Sequence, residues 1–455
     1  MLRPALVLGP VLATGGLLAA PQRGGEPCLS PGRLAASCCM LGACSNTKGQ
    51  PDNRHSSCPR TGKAFVAGLL GGLTAPREML EPVSPWNRTE ARRGGIVPWI
   101  TLAILAALLA TFAAELLAPA TPSAEPGSPS VPTLLALGAM NGELIAAGEW
   151  HRLFTANLLH AGPGHILANG TALLLFGWLL EPLLGRAWFF VAFCAGGLSG
   201  SLMSFAAHPT EVTSTGASGA ILGLFAAGFL ASFRLPRRSD ARGRLQFCSL
   251  AVLLPALLPT AASAGENLVD YAGHVGGALG GALIGLTLWQ AWPEAARLPS
   301  FRRAAAAGSV AGVTLYLASV ALVALRFEDS PFRHLIPPGV NADAQGRADA
   351  DALVRRYPAD PRGYVSRALA AYGAGDMAAA EAGLRAALRR AEAIKPLFDA
   401  AYRNHLRADL ALVLLNEGRR RDAAATLRPA CDAPAADAAL LSALRSRGLC
   451  GRPGS

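Results

Sequence analysis

Four polar residues within long apolar stretches define the chemistry open to this sequence: Ser218, His274, His165 and Asn169. A serine hydroxyl is a weak nucleophile until a base takes its proton, and imidazole is the side chain that does so near neutral pH. Ser218 stands in Ser214-Thr215-Gly216-Ala217-Ser218-Gly219, and His274 in Asp270-Tyr271-Ala272-Gly273-His274-Val275-Gly276-Gly277, each heading an apolar run. His165 and Asn169 are four apart, so on a helix they project from one face, where two donors could converge on a developing negative charge. Singly, each has a plainer reading: a serine back-bonding to its own helix, or a histidine bonded to a neighbouring helix. Together, on one side by topology, they shift the odds from those plainer readings toward a serine activated by a histidine.

The elements that must position these groups read as membrane helices, because polar side chains at such positions need a partner or a watered cavity. The chain of 455 residues is 51% apolar, and spans of about 20 residues suit a bilayer. Seven are expected: Val97–Leu117, His165–Leu184, Ala187–Ala207, Gly216–Phe233, Leu245–Ala261, Asn267–Gln290 and Ala304–Leu325. The stretch through Glu149-Trp150-His151-Arg152 reads as interfacial. The net charge of +11 comes with no aromatic-interleaved basic motif, so no nucleic-acid partner is expected. Arginines 234, 237, 238, 242 and 244 fill one loop and 297, 302 and 303 another, whereas 208–215 and 262–266 hold no Arg or Lys. The positive-inside rule then puts the N-terminus in the cytoplasm and the C-terminal tail outside it. Ser218 and His274 fall at similar depth near the outer face, on parallel helices. Gly219 and Gly223 on one helix and Gly277 and Gly281 on the other allow close backbone approach.

Flanking the spans are two further regions. Residues 1–95 hold five of the nine cysteines without periodicity and are expected to be low-complexity or disordered; their opening has the look of a signal peptide. Pro255 and Pro259 weaken the fifth span's ladder. From Pro337-Pro338-Gly339 the composition turns soluble, with helical patterns separated around Gly375 and Gly418. Ala380 and Leu384 after the first glycine correspond to Ala423 and Leu427 after the second, a tetratricopeptide-like pattern, although the offset of 43 exceeds the usual period of about 34. No zinc spacing, no H-E-x-x-H and no G-x-S-x-G elbow is present, so no metal or cofactor is expected.

The combination of His160-x4-His165-x3-Asn169, Gly216-Ala217-Ser218-Gly219 and His274-x2-Gly277-x3-Gly281 resembles the rhomboid intramembrane serine proteases, in the six-plus-one arrangement. Glu149-x2-Arg152 and Gly177-x3-Glu181 add to the likeness, which covers roughly 97–325. The resemblance implies Ser218 as nucleophile and His274 as base, a dyad without a third acid. It also implies oxyanion donation by the Ser218 N–H, His165 and Asn169, and structural support from Gly216, Gly219, Gly277, Arg152 and Glu181. His160 would support its loop or hold water. Leu222 stands where the family has Tyr or Phe packed on the histidine, and His151 where it commonly has Trp.

The expectation is therefore an all-α polytopic bundle of seven membrane helices (96–326) followed by a tetratricopeptide-like helical domain (340–455). It would be an intramembrane serine endopeptidase of the bacterial inner membrane, cutting transmembrane protein substrates, with the tail free to bind a protein partner. The rival is a rhomboid-fold scaffold that binds membrane proteins without cutting them; a transporter would instead spread ionisable residues across the bilayer.

Overall fold

The computed structural model describes residues 97–208, 213–258, 269–293, 296, 298–337, 340, 342–432, 442, 444 and 449–450. The segment 1–95, Pro259, the loop 262–266, Asn267, Arg297 and Pro338-Gly339 lie outside them. Among the described residues, ten helices run from Trp99 to Arg326: α1 Trp99–Leu117, α2 Val131–Ala136, α3 Gly142–Ala146, α4 Arg152–Thr155, α5 Pro163–Leu184, α6 Arg186–Ala207, α7 Ser218–Ala231, α8 Asp240–Leu257, α9 Tyr271–Ala291 and α10 Arg302–Arg326. Among the described residues α1, α5, α6, α9 and α10 are long and apolar enough to cross a membrane. Helix α7 is shorter, extended by a 3-10 turn Ser232–Arg234. Helix α8 starts five residues before the expected span, at Asp240, because the Ser239 hydroxyl caps it by accepting from the Arg242 N–H at 3.3 Å.

Helices α6, α7 and α9 form the tight centre of the bundle. A Cβ at Gly277 would strike the Gly219 backbone, one at Gly281 the Gly223 backbone, and one at Gly285 the Ala227 backbone. That rising register means α7 and α9 run parallel. Glycine at these crossings leaves dispersion contact between backbones as the adhesive where lipid offers no hydrophobic gain. Helix α1 is tied to α5 in another way. Its Pro98 cap offers no side-chain acceptor, and Glu181 of α5 supplies one: Oε1 accepts from the Ile100 N–H at 3.0 Å, and Oε2 from the Thr101 N–H and hydroxyl, each at 2.8 Å. Gly177, one turn earlier, leaves room for the Thr101 side chain.

Between α1 and α5 the chain makes α2, α3, α4 and the two-residue strand β1 (Met140–Asn141). That strand pairs antiparallel with β2 (Thr213–Ser214), Met140 facing Ser214 and Asn141 facing Thr213. This small pairing is the only sheet among the described residues, and it binds the loop to the segment just before Ser218. Arg152 holds the loop from within: it is 4% exposed, donates to the Leu135 and Ala139 carbonyls at 2.7 and 2.9 Å, and pairs with Glu149 at 2.7 Å. Burial lowers its pKa and the Glu149 carboxylate opposes that shift.

The tail follows as α11 Ala342–Arg356, kinked at Asp349, then α12 Pro361–Gly373, α13 Met377–Ala393, α14 Ala400–Asn416 and α15 Arg420–Cys431. Helices α12 and α13 make one hairpin and α14 and α15 another, turning at Gly375 and Gly418, both in the left-handed region. Ala380, Leu384, Ala423 and Leu427 are all buried. A disulfide joins Cys431 to Cys450, a pairing that the sequence reading did not foresee. Tyr364, Val365, Ala387, Phe398 and Leu406 of the tail share a single apolar core with Leu134, Leu135, Ala139 and Leu159 of the α1–α5 loop. Arg403 adds an ion pair with Glu143 at 4.0 Å.

Candidate active site

Ser218 is the first residue of α7, so its own N–H has no partner within the helix and remains a donor. The backbone enters this position through Gly216, whose φ of 122° suits only glycine. That residue also stops α7 from beginning two residues earlier, where the expected span had started. The Gly216 N–H donates to the Ala156 carbonyl at 2.9 Å, and with the β1–β2 pairing this fixes the approach to Ser218.

His274 sits in the first turn of α9, and its Nε2 lies 3.0 Å from Ser218 Oγ. The other ring nitrogen, Nδ1, lies 3.0 Å from the Ala256 carbonyl. A carbonyl only accepts, so the network assigns the proton to Nδ1 and leaves Nε2 an acceptor facing the serine hydroxyl. Ala256 belongs to the last turn of α8, where carbonyls have no helical partner. Asp270 is not that partner: it caps α9, accepting from the Gly273 N–H at 2.7 Å. A cavity of about 30 Å³, space for a water molecule, is lined by Ser218, His274, Asp270, Gly200 and Asn157 among others.

His165 and Asn169, on α5, both lie against Gly216: a Cβ there would be 2.6 Å from His165 Cε1 and 3.5 Å from Asn169 Nδ2. Asn169 is buried, and its Nδ2 has no hydrogen-bond partner among the described residues, an amide donor held in reserve. His160, in the loop before α5, meets the His165 ring edge-to-face with centroids 5.1 Å apart. Leu222 is buried at 3% exposure. The ring beside His274 comes instead from Tyr271 on its own helix, 6.3 Å away and edge-on, within the range of a favourable aromatic pair. Sequence reasoning missed both the Ala256 carbonyl and Tyr271. The carbonyl has no side-chain signature, but an aromatic residue three before a histidine on one helix was visible. Of the supporting residues, Gly216 and Gly219 line the cavity with Ser218 and His274, and Gly277 packs on the Gly219 backbone, whereas Arg152 binds carbonyls of the loop and Glu181 the start of α1. Among the described residues no cluster of three His, Cys, Asp or Glu is placed to hold a metal.

Residues 147–291 match the Rhomboid domain family. The chain is 34% identical over 155 residues to the rhomboid protease GluP of Bacillus subtilis, across 34% of this chain and 29% of that protein. To the putative rhomboid protease YdcA of the same organism it is 34% identical over 143 residues, 31% of this chain and 68% of that one. To RHOMBOID-like protein 5 of Arabidopsis thaliana it is 33% identical over 162 residues, spanning 51% of that protein. The chain thus spans less than a third of the first of these relatives and about two thirds of the second.

Proposed function

The chain belongs to the rhomboid family, and on that premise we propose that it is an intramembrane serine endopeptidase that hydrolyses peptide bonds in or beside transmembrane segments of other proteins. The observation that carries this reading is the 3.0 Å contact of His274 Nε2 with Ser218 Oγ, with Nδ1 engaged on a carbonyl. Ser218 Oγ attacks the substrate carbonyl carbon as His274 Nε2 takes its proton; the carbon–nitrogen bond breaks and the proton passes to the leaving amine. Water then attacks the acyl carbonyl carbon as His274 Nε2 takes its proton; the bond from that carbon to Ser218 Oγ breaks, the proton returns to Oγ and the carboxylic acid leaves. The tetrahedral oxyanion is received by the Ser218 N–H, His165 and Asn169. Substrate helices with small or helix-breaking residues suit the site, since the scissile bond must leave its backbone ladder.

The protein is a multi-pass membrane protein, and in this reading α7 and α8 complete a set of seven spans in the bacterial inner membrane. The arginine-rich segment between α7 and α8 supports a cytoplasmic N-terminus and an outer tail. So does the Cys431–Cys450 disulfide, since such bonds persist in oxidising compartments. The tail hairpins are read as tetratricopeptide-like and suited to a protein partner.

The test uses purified wild type and Ser218→Ala with a reporter transmembrane substrate and a fluorophosphonate label. Wild type cuts and labels, and Ser218→Ala does neither. Equal product from both overturns the serine mechanism; no cleavage and no labelling by either supports the scaffold reading instead.

A further inference from the structure

Glu115 is a carboxylic acid in the last turn of α1, in a membrane-length helix, with no exposure at all. A carboxyl at such a position is costly and calls for a role. Its Oε1 accepts from the His160 N–H at 3.1 Å, and its Oε2 has no partner among the described residues. His160 is itself fully buried, and burial together with the neighbouring His165 pushes its pKa down to about 4, so the ring is neutral. Its Nδ1 lies 3.2 Å from the Leu158 carbonyl, which fixes the proton there and the orientation of the ring. The ring edge then meets His165, and His165 in turn lies against Gly216, two residues before Ser218. A chain of contacts runs unbroken from α1 to the oxyanion side of the site.

Resting on the protease reading above, we propose that Glu115 is a positioning residue: by holding the His160 backbone it sets the wall against which the His165 ring is oriented as an oxyanion donor. Among the described residues no other acceptor holds the His160 N–H. Replacing the carboxyl by an apolar group would leave that buried donor unsatisfied, so the loop shifts to rehydrate or re-bond it, and His160 moves with it. His165 would then lose its backing while Ser218 and His274, held by α7, α8 and α9, keep theirs. A simple structural staple would differ: its loss would lower the folded fraction without changing the turnover of the protein that does fold.

The experiment measures kcat and KM on the reporter transmembrane substrate for Glu115→Leu, Glu115→Gln, His165→Ala and the Glu115→Leu/His165→Ala pair, each normalised to its fluorophosphonate-labelled fraction. Glu115→Leu is expected to lower kcat about ten- to a hundredfold at unchanged KM, because small displacements of an oriented catalytic donor cost that much. Glu115→Gln, which keeps the carbonyl acceptor, should stay within about threefold of wild type. On the His165→Ala background Glu115→Leu should cost almost nothing further, since both changes remove one interaction. Unchanged kcat for Glu115→Leu, or the same loss on both backgrounds, overturns the proposal. If Glu115→Leu yields no labelled protein, His160→Ala takes its place, with the same kcat loss and the same non-additivity expected and wild-type turnover refuting. A wild type that neither cuts nor labels overturns the protease reading itself, whereas a wild type and a Glu115→Leu that cut equally overturn only the role of Glu115.

Discussion

Gly216→Ala separates backbone strain from displacement of the oxyanion donors. With φ at 122° the position disfavours any side chain, and adopting it with alanine costs on the order of 1–3 kcal/mol. The added methyl carbon would also stand 2.6 Å from His165 Cε1, so the ring must withdraw by roughly 0.8 Å before ordinary contact at 3.4 Å is restored. A displacement approaching 1 Å of a group that must meet a developing charge costs up to about a hundredfold in rate. The expected result is a fall in kcat of about ten- to a hundredfold per labelled molecule, with KM little changed. Gly148→Ala is the control: φ there is 101°, and a Cβ would meet nothing within 4 Å. It carries comparable strain without touching His165, and should lower the unfolding midpoint in detergent while leaving kcat alone. Gly216→Ala turning over at the rate of Gly148→Ala would refute the placement of His165 on the reaction path.

Asn169→Ala removes a buried donor that has no partner among the described residues and should slow turnover by about 3 kcal/mol, roughly a hundredfold, read by steady-state cleavage. Tyr271→Ala strips the ring beside His274, and the loss of an aromatic pair worth about 0.5–1.5 kcal/mol should lower kcat some three- to tenfold. Glu181→Leu leaves the Ile100 and Thr101 N–H groups without acceptors and should lower stability by about 2–5 kcal/mol in chemical denaturation, with Glu181→Gln milder. Asp409, 5% exposed in α14, has its pKa raised to about 7 from 3.8 by burial. The folded state therefore holds its proton more tightly than the unfolded state. The stability this confers is complete below about pH 4 and is lost as pH rises toward 7, by up to about 4 kcal/mol. Asp409→Asn should abolish that slope in unfolding midpoints measured from pH 4 to 7.5.

Ser218, His274, His165 and Asn169 stood out as candidates because a nucleophile, a base and two donors would have to be side chains of particular types at helical spacing. The apolar runs gave the long helices to within a few residues, since hydrophobic length is a property of composition. Contributions made by backbone escaped notice. The Ala256 carbonyl is chemically identical to every other in the chain, and only the end of α8 makes it available. The β1–β2 pairing involves two residues on each side, too few for an alternating pattern to emerge. Glu115 is an acid within a membrane-length helix, but its partner is a main-chain N–H forty-five positions away, which no spacing rule reaches. The core shared by the tail and the α1–α5 loop was equally hidden. Leu135 and Phe398 read as ordinary apolar residues until the chain brings them together.

An orienting group need not be an acid. In the described geometry the proton on His274 Nδ1 is held by a peptide oxygen, which accepts no proton of its own at any pH a cell encounters. A carboxylate in that place would be neutralised on acidification and would release the ring; the Ala256 carbonyl does not. The direction in which this ring faces Ser218 is thus held by main chain alone, independent of the charge state of any neighbouring acid.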